Sequence, residues 1–112
     1  MKLALSGRRA FIVQRLTALV LLAFLAGAAL RLALGTPPTL AQWQAWSAQP
    51  HAAALLLLAT LASIAHAWVG VRDVVLDYVR PARWRPAVLV VAAVGLALLA
   101  ARTTYVLVLH AL

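Results

Sequence analysis

The stretch Ser63-Ile-Ala-His-Ala-Trp-Val-Gly-Val-Arg-Asp-Val-Val-Leu-Asp-Tyr-Val-Arg-Pro81 begins inside an apolar run and ends in charge. At about 100° per residue, the path from His66 to Asp77 turns about 1100°, within about 20° of three full turns. His66 and Asp77 therefore share a helix face, about 16 Å apart along the axis. Gly70 and Asp73 fall within about 40° of the same line, so this face carries an imidazole, a bare backbone position and two carboxylates. A stripe that meets only lipid is not built from such groups.

Around that stretch the composition sets the class. The 112 residues are 66% hydrophobic and 11% charged, with a mean hydropathy of +0.99. A soluble domain runs nearer half apolar and a quarter charged, so the chain is read as an integral membrane protein. The net charge of +8 would suggest nucleic acid in a soluble domain. Here most basic residues fall in two short segments flanking apolar runs, which points to membrane orientation and to no nucleic-acid partner. The chain has no cysteine, so by itself it supplies no disulfide, thiolate metal site or iron–sulfur ligand.

Three apolar spans are expected, from about Ala10 to Leu34, Ala52 to Val75 and Ala87 to Leu109, each near the roughly 20 residues that cross a bilayer. They make one domain, residues 1–112. Gly35-Thr36-Pro37-Pro38 ends the first, because Pro lacks the amide donor and disfavours a helical residue before it. Pro86 suits the first turn of the third. From Thr39 to Gln49 the chain is uncharged and mixes polar with small and apolar residues around Trp43 and Trp46, whose spacing puts both indoles on one side of a short interfacial helix. Trp68 and Trp84 read as further interface anchors.

Lys2, Arg8 and Arg9 precede the first span, and Arg80, Arg83 and Arg85 lie between the second and third, whereas Gly35 to His51 has no Lys or Arg. The positive-inside rule then places the N-terminus and the Arg80 to Arg85 loop in the cytoplasm and the C-terminus outside. The basic start, the apolar stretch from Leu16 and Ala26-Gly27-Ala28 share features with a secretory signal peptide. The apolar run continues past that point and is long enough to span, so a retained helix is expected.

Each polar residue of the spans has a plain reading beside a functional one. His66 serves either as a hydrogen-bond partner of a neighbouring helix or as a haem ligand, with Gly70 one turn on leaving room for a macrocycle. A second axial His at the same depth is missing: His51 lies about 22 Å away along the helix and His110 near the outer end of the third span, so another subunit would supply it. Asp73 and Asp77 are the only acidic residues. Asp77 is either a helix-end carboxylate paired with Arg80 or a proton donor and acceptor at the surface, with the Tyr78 phenol beside it; Asp73 pairs with a partner chain. Arg15 either snorkels to the headgroups or meets an anionic cofactor group at the depth of His66. Arg102 either snorkels outward or pairs in a subunit interface.

His66-Ala67-Trp68-Val69-Gly70 followed by Asp77-Tyr78-Val79-Arg80-Pro81 resembles the motif of the small hydrophobic membrane-anchor subunit of succinate dehydrogenase, the D chain. Phe11-Ile12-Val13-Gln14-Arg15-Leu16-Thr17-Ala18 is similar to the Arg-x-Thr-Ala start of that family's first helix. The resemblance covers nearly the whole chain. It implies an all-α membrane protein whose three transmembrane helices form half of a two-subunit haem-binding bundle. It also implies His66 as an axial ligand of haem b, shared with the companion cytochrome b anchor (C chain), and Arg15 near the haem propionates. Tyr78 and Asp77 would line a ubiquinone pocket next to the iron–sulfur subunit. The implied protein is a non-catalytic anchor in a bacterial cytoplasmic membrane, holding a flavoprotein and an iron–sulfur subunit. Arg72 and Arg102 receive no role from it. An anchor of a fumarate reductase fits the same motifs, and a transporter coupled through Asp73 or Asp77 is the reading from another class.

Overall fold

The computed structural model describes residues 7–112; Lys2, counted above among the N-terminal cations, lies outside them. Four α-helices follow in order: α1 Gly7–Leu34, α2 Leu40–Ser47, α3 Pro50–Tyr78 and α4 Arg85–Ala111, the last preceded by a single 3₁₀ turn at Ala82–Trp84. The described residues contain no strand. The helices α1 and α3 and the segment Ala82–Ala111 are each long and apolar enough to cross a membrane, so the chain is a multi-pass membrane protein. The three long helices extend a few residues beyond their expected apolar limits, α1 at its start and α3 and α4 at both ends, because backbone hydrogen bonding continues into the polar ends where hydropathy has already fallen.

The connection between the first two spans forms the short helix its sequence predicts. Thr39 caps α2 by a reciprocal pair, in which the Gln42 amide donates to Thr39 Oγ1 (3.2 Å) and the Thr39 amide to Gln42 Oε1 (2.9 Å). Such a cap is worth about 1 kcal/mol, which a helix of two turns needs because nucleation is costly. Trp43 and Trp46 lie with ring centroids 5.3 Å apart, on one side of the helix as expected.

The middle span is the hub. Of the seven buried apolar residues among those described, Ala52, Ala53, Ala62, Val69 and Val75 belong to α3, Ala10 to α1 and Leu89 to α4. Helices α1 and α4 both pack on α3, and small side chains at these positions let the backbones approach closely, where dispersion contacts replace the hydrophobic effect that lipid cannot supply. The hydroxyls of Thr60 and Ser63 donate to the carbonyls of Leu56 and Ala59 one turn back, so they need no partner from another helix. From Leu25 to Leu34 every residue of α1 is exposed: the second half of the first span is little covered by its own chain.

Candidate functional site

Packing of α1 on α3 brings the middle of the first span to the C-terminal half of the second. There the half-buried Thr17 and His66, 49 residues apart in sequence, meet with Thr17 Oγ1 at 3.2 Å from His66 Nδ1. The same hydroxyl reaches back along its own helix to the carbonyl oxygens of Val13 at 2.7 Å and Gln14 at 3.1 Å. His66 Nε2 has no hydrogen-bond partner among the described residues. One turn further, a Cβ placed on Gly70 would have no atom within 4 Å, so the surface beside the imidazole is open. An imidazole held by one nitrogen and open at the other, beside a bare backbone position, fits a single axial ligand of a haem. His51 starts α3 and His110 ends α4; both are exposed and lie at the far end of the bundle from His66.

Arg15 is two residues from Thr17, hence about 200° round the helix. It lies at the same depth as His66 but on an exposed face, its guanidinium 5.1 Å from the centroid of the Phe11 ring, a cation–π contact within one helix. Arg102 is exposed on α4 and makes no ion pair among the described residues.

At the C-terminal end of α3 the charges sort differently from the spacing. Asp73 forms an ion pair with its neighbour Arg72 at 2.9 Å, so its carboxylate is engaged within its own chain. The expected Asp77–Arg80 pair is absent among the described residues. Their separation of three brings side chains together only on a continuous helix, and Val79, at φ −76° and ψ 119°, is already extended. Arg80 leaves on the turn into Pro81, and Arg85 Nε donates to the Val79 carbonyl at 3.1 Å, tying the loop to the end of α3. Asp77 is exposed and Tyr78 is 78% exposed, with no partner for either the carboxylate or the phenol among the described residues. Two apolar grooves lie along the C-terminal end of α4, both lined by Val108 and Leu112; neither includes Asp77 or Tyr78. A ligand held by this pair therefore needs walls from another chain.

The polar groups thus form two stations along α3, an imidazole inside the bilayer and a carboxylate with a phenol at its edge. Thr17 is the member to which the sequence alone assigns no role. The available signal is depth: with antiparallel spans, the eleventh residue of α1 and the seventeenth of α3 fall at one level. The family model described as succinate dehydrogenase/fumarate reductase transmembrane subunit matches residues 5–101. A comparison with curated proteins gives no match.

Proposed function

The chain belongs to the succinate dehydrogenase/fumarate reductase transmembrane subunit family, and from that membership we propose that it is the small anchor of a succinate dehydrogenase that reduces ubiquinone. The observation that carries this reading is the arrangement on α3: His66 with its Nε2 open beside Gly70, followed at the cytoplasmic end by Asp77 and Tyr78. His66 would hold the iron of a haem b shared with the companion anchor, and Arg15 would pair with its propionates. Haem, when bound, supplies a one-electron relay or reservoir inside the bilayer. Succinate is oxidised in the flavoprotein, and the iron–sulfur subunit docks at the cytoplasmic end of α3 and closes the walls that this chain lacks.

Within that pocket the Tyr78 phenol donates a hydrogen bond to a quinone carbonyl oxygen. Asp77, exposed at the membrane edge, exchanges protons with water and returns them towards the reduced ring. Both groups are unengaged in the chain itself, so neither has to break an internal bond to act. The carboxylate-coupled transporter reading loses its support, because Asp73 is paired with Arg72 and Asp77 lies at a helix end instead of mid-span.

Purification from mild detergent through a tag on this chain tests the assignment. Flavin-bearing and iron–sulfur subunits and a b-type reduced-minus-oxidised spectrum are expected to co-purify; recovery of the chain without them counts against the reading. Orientation is checked separately. With the N-terminus cytoplasmic in a bacterial inner membrane and three spans, alkaline phosphatase fused after Leu112 is expected to be active, as it is only outside the cytoplasm.

A further inference from the structure

We infer that Thr17 is a positioning residue for His66, its hydroxyl oxygen accepting the Nδ1 proton and thereby fixing the tautomer whose Nε2 lone pair is free for a metal. This rests on the reading of His66 as a haem ligand and adds to it which chain element orients the ligand. A threonine hydroxyl has one proton and two lone pairs. The shorter of its two backbone contacts, 2.7 Å to the Val13 carbonyl, takes the proton, and Gln14 O at 3.1 Å lies ready as the alternative acceptor. With the proton turned to the backbone, the oxygen faces His66 Nδ1 at 3.2 Å as an acceptor, so Nδ1 must be the donor. Donation to the Val13 carbonyl also polarises the hydroxyl and makes its oxygen a better acceptor.

Two consequences follow for the imidazole. It cannot rotate about its χ2 angle without losing the bond, so the plane of the ring is set from α1 although the residue sits on α3. Partial withdrawal of the Nδ1 proton makes Nε2 more electron-donating, which favours the ferric state of a ligated iron. Arg15 and Thr17 then have separate tasks on opposite sides of α1.

The test uses the whole complex and compares Thr17→Val, which keeps the shape and loses the hydroxyl, with Thr17→Ser, which keeps the hydroxyl. In Thr17→Val the ratio of ferric to ferrous haem at a fixed ambient potential is expected to fall three- to tenfold, a midpoint rise of about 30–60 mV at 59 mV per decade for one electron. The low-spin ferric g values should move as well, because the ring is no longer held. Thr17→Ser should return both to within about twofold of the wild-type ratio, which a general packing defect would not do. Wild-type potential and g values in Thr17→Val overturn the inference if His66→Ala abolishes the low-spin spectrum in the same background. If His66→Ala leaves that spectrum intact, the ligand reading itself fails. Should Thr17→Val not assemble, Thr17→Ala, a smaller change in the same helix, is read by the same two measurements: a raised potential with moved g values supports the inference, and wild-type values overturn it.

Discussion

The complex carrying His66→Ala is expected to lose its low-spin b-type spectrum. Removing a first ligand costs more than the tenfold to hundredfold in metal affinity that loss of an outer-sphere partner typically costs, so haem occupancy should fall by at least about tenfold or the remaining haem become high-spin. Ala is the strongest helix former, and His66 is half-buried with its only hydrogen bond among the described residues to Thr17, so α3 and its packing against α1 and α4 should persist. His51 does not substitute, since it begins α3 and lies about 22 Å of helix away. Difference spectra together with subunit recovery separate the outcomes. A wild-type spectrum rejects His66 as a ligand, and spectral loss with full recovery of the other subunits supports it.

Tyr78→Phe addresses the other station. The phenol is 78% exposed in this chain and has no internal partner among the described residues, so removing it should cost the chain little stability. If the hydroxyl donates to a quinone carbonyl, its bond strengthens as negative charge builds on that oxygen during reduction, and turnover suffers as well as binding. The expected result is normal haem content and normal succinate oxidation with an acceptor that takes electrons before the quinone, with quinone reduction down about tenfold or more. That corresponds to one charge-assisted bond of about 1.5–3 kcal/mol. Asp77→Asn should show the same split if the carboxylate delivers protons. Wild-type quinone reduction in Tyr78→Phe would leave Tyr78 as an interfacial anchor only.

Both stations are legible in the sequence because hydropathy and the 3.6-residue period act within one helix. Three spans, the helix bearing Trp43 and Trp46, and the order of groups along α3 all follow from such local rules. Contacts between helices do not. Nothing in the period of α1 marks Thr17 as the residue that meets His66; that depends on how Ala62, Val69 and the other small positions of α3 let its neighbours dock. Asp77 and Arg80 fail to pair for a different reason: spacing presumes a helix, and the chain has become extended at Val79. Asp73 meets Arg72 within its own chain, a contact between adjacent residues that the helical period does not mark.

The sparsely covered second half of α1, exposed from Leu25 to Leu34, makes gene dosage a thermodynamic variable. A segment that its own chain covers so little draws most of its packing free energy from whatever binds it. By linkage, each tenfold rise in the free concentration of a binding partner above its dissociation constant adds about 1.4 kcal/mol to the assembled form. A melting temperature recorded on this chain alone would therefore report the packing of α1 and α4 on α3 without that increment.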